Sequence, residues 1–145
     1  MPDLSTQSIV IKAEPAAVMD VIADFAAYPE WTGAIKTVEI TKPGDVGRAL
    51  QVKYVMDAGL LKDTYELAYT WAPDGRSVSW NLVSGSLQKS QRGAYQLKPV
   101  GAGTEVTYSL SIEPSIPLIG PLRRRAERTI MDTALKELRK RVEHL

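Results

Sequence analysis

Between Ile35 and Glu113 the chain is interrupted at short intervals by turn-forming residues, at Pro43-Gly44-Asp45, Ala58-Gly59, Pro73-Asp74-Gly75, Ser84-Gly85-Ser86 and Gly101-Ala102-Gly103. Breaks at this spacing suit strands, and five of them imply a meander of six. The segments alternate accordingly. Leu50, Val52, Tyr54 and Met56 oppose Gln51 and Lys53, while Tyr65, Leu67, Tyr69 and Trp71 oppose Thr64, Glu66 and Thr70. Val78, Trp80 and Leu82 then oppose Ser77, Ser79 and Asn81, and Val106, Tyr108, Leu110 and Ile112 oppose Glu105, Thr107, Ser109 and Ser111. One face is apolar and aromatic and the other polar, the pattern of a sheet covered on one side.

A further strand is expected over residues 5 to 12, where Gln7, Ile9 and Ile11 share a side. The period then changes. Pro15 suits the first position of a helix, and Val18, Val21, Ile22 and Phe25 lie on one helical face. Proline disfavours helix at the residue before it, so Tyr28-Pro29-Glu30-Trp31 is expected to be a bend or short turn carrying Trp31. After Pro114, Pro117 and Pro121 the remainder reads as one helix of about 25 residues, roughly 40 Å long. Its apolar residues Leu122, Ala126, Ile130, Ala134, Leu138 and Val142 recur in steps of four, so the stripe winds slowly around the axis. Ile119 and Leu122 are expected to cover the sheet, with Met131, Leu135 and Leu138 turned to the rest of the core. The fold class is therefore α+β: a curved antiparallel sheet of about seven strands around a long C-terminal helix, with short helices after strand 1, in a single domain over residues 1–145.

Composition narrows the chemistry. There is no cysteine, and the only histidine is His144, so a disulfide framework, thiol nucleophile or metal centre is not expected, and no cofactor is called for. The formal net charge is +1, which gives no global field for nucleic acid. MPDLSTQSIV lacks a basic start before an apolar run, and no apolar stretch approaches the ~18 residues of a membrane span, so the expected compartment is the cytoplasm.

The strands carry Tyr54, Tyr65, Tyr69, Trp71, Trp80, Tyr95 and Tyr108, against one phenylalanine in the whole chain. A dry core is more economically built from Phe and Leu, because the polar tips of Tyr and Trp need partners when buried. A twisted sheet need not touch a straight helix everywhere, so a cavity between the two is expected. The residues predicted to line it are Trp31, Tyr54, Met56, Tyr69, Trp71, Trp80, Tyr95, Tyr108, Leu122, Ala126 and Ile130.

The order of elements, together with PAAVMDVIADFAAYPEW, VSWNLVSGSLQKSQRGAYQL, GTEVTYSL and PLIGPLRRRAERTIMDTALKELRKRVE, resembles the START/SRPBCC superfamily of helix-grip proteins over nearly the whole chain. Within it the chain looks most like the bacterial polyketide cyclase/dehydrase-like group, with birch-pollen-allergen-like and coenzyme Q-binding proteins as wider relatives. The resemblance implies a hydrophobic cavity. It makes binding or transport of a lipid, quinone or polyketide-like molecule the expected function, with a polyketide cyclase/dehydrase as the alternative, and it carries no catalytic triad onto this sequence.

Three local features bear on that choice. Asp57 and Asp63 flank a loop at a plausible cavity mouth, where they would act on a substrate or simply be solvated. If the strand from Leu87 to Lys98 runs without a bulge, Lys89 and Gln91 point inward with Tyr95 and Leu97; if Gly93 is a bulge, Gln88, Ser90 and Arg92 do so instead. Gly101-Ala102-Gly103-Thr104 precedes a strand rather than a helix, so it reads as a hairpin turn and not a phosphate cradle. Finally, residues 118–145 carry eight Lys/Arg and four Asp/Glu, leaving a net −3 on the rest of the chain. Arg123, Arg124, Arg125 and Arg128 crowd the helix start, where the dipole disfavours them. They mark either peripheral contact with a membrane or partner, or a solvated face paired with Glu127 and sheet acids. No aromatic residue accompanies them to stack a base, so nucleic acid is not expected.

Overall fold

The computed structural model describes residues 4–57, 62–116 and 119–145; the expected break at Ala58-Gly59 and Pro117 lie outside the described residues. Alternation sets the sheet. Strands β1 (Ser5–Ile11), β2 (Ile35–Lys42), β3 (Gln51–Asp57), β4 (Lys62–Trp71), β5 (Ser77–Gly85), β6 (Gln88–Val100) and β7 (Gly103–Pro114) form one antiparallel sheet in the order β1-β7-β6-β5-β4-β3-β2. The period-2 pattern reads correctly onto it: Val52, Tyr54, Leu67, Val78, Trp80, Leu97, Val106, Tyr108 and Leu110 are buried on one face. Leu50 departs from it, being 39% exposed just before β3 begins.

Helix α1 spans Pro15–Ala23, with proline at its start and Val18, Met19, Val21 and Ile22 buried. A 3-10 turn, Phe25–Ala27, leads into a short helix α2, Tyr28–Trp31. The expected bend is thus helical. Pro29 sits in the first turn of α2, where its missing N–H has no carbonyl to bond, and Tyr28 takes up helical angles despite preceding it.

Helix α3 spans Gly120–Glu143 and packs mainly on β1 and β7. It runs alongside β1 in the same direction. Ser5 Oγ donates to Glu127 Oε1 (2.7 Å), Gln7 Nε2 to Asp132 Oδ1 (3.0 Å) and the Lys12 N–H to Glu143 Oε2 (2.9 Å). The lengths agree: Glu127 to Glu143 rises about 24 Å at 1.5 Å per residue, and Ser5 to Lys12 about 23 Å.

The phase of α3 corrects the sequence reading. Its buried residues are Glu127, Met131, Leu135, Leu138 and Val142, whereas Ile119 (67%), Leu122 (50%) and Ile130 (43%) are exposed, as is Ala126. The early half therefore does not cover the sheet. Glu127 is the cause, because its carboxylate also accepts the Ile112 N–H at 2.7 Å, two residues past the last β1 partner of β7, Leu110. This acid fixes which side of the helix meets the sheet.

Candidate functional site: the aromatic inner face

All six tyrosines of the chain meet on the inner face in one network with Phe25 and the three tryptophans. Ring centroids lie 4.8 Å apart for Phe25–Tyr69, 5.2 Å for Tyr54–Tyr65, 5.9 Å for Tyr69–Trp80, 5.4 Å for Trp80–Tyr95 and 4.6 Å for Tyr95–Tyr108. Tyr28 joins from α2, 6.2 Å from Tyr54 and 5.0 Å from Trp31. Its place was not foreseen; the signal was the helical turn that Pro29 starts. Gly93 makes the centre of this floor possible. It pairs with Trp80 across β5 and β6, and a Cβ there would stand inside the indole ring.

The floor is rich in unpaired donors. The Tyr28 hydroxyl donates to the Ile22 carbonyl, and the Trp71 Nε1–H to the Ala49 carbonyl at 2.8 Å. Tyr54 and Tyr69 share one hydrogen bond through their hydroxyls, which leaves one of their two protons free. Among the described residues, nothing partners the hydroxyls of Tyr65, Tyr95 and Tyr108. The indole N–H of Trp80, a residue only 5% exposed, is buried and unpartnered, as is that of Trp31.

Burial, the largest cause, pushes all six hydroxyls above the ordinary tyrosine pKa; for Tyr65 the charge of Asp63 adds to it, and for Tyr95 and Tyr108 the effect of a neighbouring tyrosine. They stay neutral donors across the physiological range. Yet Tyr65, Tyr69 and Tyr95 are only half-buried. A group whose folded pKa lies above its unfolded value gives stability that is present below about pH 10 and is lost as pH rises beyond it. In alkaline titration the tyrosinate absorbance should therefore appear together with loss of near-UV circular dichroism. Smooth ionisation near pH 10 with the fold intact would contradict the burial.

Strand β6 settles its two registers. Pairing is unbroken from Gln91–Ile112 to Val100–Gly103, so Gly93 is not a bulge and Gln91, 8% exposed, points inward. The irregularity lies between Gln88 and Ser90. It leaves Lys89 and Ser90 exposed, Arg92 half-buried, and Gln88 donating through Nε2 to Asp63 Oδ2 at 3.0 Å. Asp63 is itself only 4% exposed, and its Oδ1 accepts the N–H groups of Ser86 (3.0 Å) and Leu87 (3.2 Å). It is neither a solvated acid nor one with an idle oxygen; it caps the β5–β6 turn. Asp57 pairs with Lys62 at 3.8 Å, and the intervening loop lies outside the described residues.

Of the predicted lining residues, Tyr54, Tyr69, Trp71, Trp80, Tyr95 and Tyr108 come together on this floor. Trp31 and Met56 also border two surface depressions, one of about 280 Å³ between α1 and the end of α3 and one of about 220 Å³ beside Lys36, Asp57 and Lys62. Leu122, Ala126 and Ile130 are not packed on the floor. Ala126 and Ile130 lie about three and two turns from Glu137, on its side of α3, and Glu137 Oε2 accepts the Gly33 N–H beside α2 at 3.0 Å. They thus stand on the α2 side of the helix, upstream of where it touches. Among the described residues no cluster of acids and histidine is placed to hold a metal, and no helix is long and apolar enough to cross a membrane.

Comparison with known proteins agrees with this architecture. The sequence pattern of a family described as polyketide cyclase / dehydrase and lipid transport matches residues 4–143. No curated protein matches the sequence. Among solved structures, a START superfamily protein from Mycobacterium smegmatis superposes with a TM-score of 0.90 at 21% identity, covering 97% of each chain. The Zhui aromatase/cyclase from a Streptomyces species reaches 0.74 at 14% identity, covering 97% of this chain and 93% of its own. Ara h 8.0201 reaches 0.74 at 12% identity, with 98% of each chain covered. At these identities the likeness is one of fold.

Proposed function

The chain belongs to the polyketide cyclase / dehydrase and lipid transport family, and from that premise we propose that it binds or carries a hydrophobic small molecule, a lipid, quinone or polyketide-like compound, between the aromatic floor and α3. One observation carries the reading: among the described residues, the half-accessible aromatic face presents the hydroxyls of Tyr65, Tyr95 and Tyr108 without a partner, beside the buried and unpartnered Trp80 N–H. Accessible hydroxyls beside apolar rings suit a ligand with an apolar body and acceptor oxygens, and a buried indole N–H is ordinarily hydrogen-bonded, so the one on Trp80 is a further donor once a ligand displaces its neighbours. Ala126 and Ile130 would form the opposite wall, and Leu122 its outer end.

The test is a titration with oleate and with a hydroxylated anthraquinone, followed by tryptophan fluorescence. Saturable binding of at least one is expected. Replacing Tyr65, Tyr95 and Tyr108 together by Phe should weaken anthraquinone binding roughly a hundredfold while the protein stays folded, since each of the three neutral hydrogen bonds contributes about 1 kcal/mol. No saturable binding of either probe would remove the reading.

The same neutral donors would stabilise an enolate, so a cyclase or dehydrase is the second reading. It needs a proton acceptor, and the two carboxylates buried among the described residues, Asp63 and Glu127, already accept hydrogen bonds on both oxygens. Turnover of a poly-β-keto thioester by the purified protein would establish it.

A further inference from the structure

We propose that the end of the molecule where α3 begins is a docking surface for an anionic lipid membrane. Because α3 and β1 run in step from Glu127 and Ser5, the segment Gly120–Ala126 continues about 10 Å past the start of β1. Exposed apolar side chains collect at this end: Leu4 (46%), Leu87 (43%), Ile116 (77%), Ile119 (67%) and Leu122 (50%). Their neighbourhood follows from the backbone. Leu4 precedes Ser5, which Glu127 holds; the Ser115 N–H donates to the Leu87 carbonyl at 2.9 Å; and the Ile119 carbonyl accepts the Arg123 N–H at 3.0 Å.

Among the described residues, no carboxylate lies within ion-pair distance of Arg123, Arg124, Arg125 or Arg128. Glu127, the one acid in that run, is buried and turned toward Ser5 and Ile112 instead. The alternative of pairing with Glu127 and sheet acids is therefore not found among the described residues, and the helix dipole opposes cations at this position. Nothing described within the protein compensates them.

Leucine and isoleucine set among unpaired arginines suit the boundary between anionic headgroups and acyl chains. A polynucleotide would be matched by aromatic residues able to stack bases, and this surface shows aliphatic ones.

Co-sedimentation with vesicles of phosphatidylcholine alone, and of phosphatidylcholine mixed with phosphatidylglycerol, tests it. The protein should bind the anionic vesicles, less so as salt rises, and leave the neutral ones free. Combined Arg124→Gln, Arg125→Gln and Arg128→Gln substitutions should weaken that binding roughly a hundredfold with an unchanged melting temperature. Leu122→Ser should weaken it at salt concentrations that screen the arginines. Equal partition onto both vesicle types, no vesicle binding, or a triple variant that binds like the wild type would overturn the proposal. So would arginine-dependent binding to RNA without binding to vesicles.

Discussion

Gly93→Ala is expected to destabilise the protein by about 3 kcal/mol, the upper end of the ordinary cost of overpacking. The added methyl would occupy the Trp80 ring, which also touches Tyr69, Tyr95 and Tyr108. Trp80 is 5% exposed and has no room to yield without disturbing that network. At this chain length the loss corresponds to a fall of roughly 10 °C in melting temperature. The cause is separable by a double-mutant cycle: in a Trp80→Leu background, where the large ring is gone, Gly93→Ala should cost much less. An equal cost in both backgrounds would mean that the glycine acts through the backbone of β6 alone.

Glu127→Ala is expected to cost about 3 kcal/mol by a different route. It removes a buried acceptor serving the Ser5 hydroxyl and the Ile112 N–H, and leaves both donors without it where water has little access. Glu127→Gln keeps the shape but only one acceptor oxygen, so about half the loss should return. Amide hydrogen exchange localises the effect. The Ile112 amide should be protected in the wild type and exchange rapidly in Glu127→Ala, whereas equal protection would show that another group takes its place.

These two residues also show where a sequence is legible. Strand positions follow from a period of two, and once Tyr69 and Trp80 face inward their neighbours are fixed, so six of the residues expected to line a cavity come together on one inner face. Helix phase is less determined. Leu122-Ala126-Ile130 and Met131-Leu135 repeat at the same spacing on different sides of α3, and only the pairing of Glu127 with Ser5 and Ile112 decides which side is buried. A glutamate between arginines resembles a solvated residue; the apolar spacing of Met131 and Leu135, extended back one step, was the signal for it. The irregularity in β6 is similar. Gly93 looks like the natural bulge, but the indole needs its bare Cα, and the bulge falls between Gln88 and Ser90, next to the turn that Asp63 caps. Both cases turn on long-range partners that local patterning does not encode.

A guest lodged against the unpartnered donors of the aromatic floor is read most directly from the indole proton resonances. Three tryptophans give three such signals, and Trp71, bonded to the Ala49 carbonyl, serves as the internal reference. On titration with the hydroxylated anthraquinone or oleate, the Trp80 indole proton should shift strongly and saturably while that of Trp71 moves little. Saturation with the Trp80 signal unmoved, and perturbations confined to the depressions beside Asp20 or Lys36, would place the guest elsewhere and contradict the account.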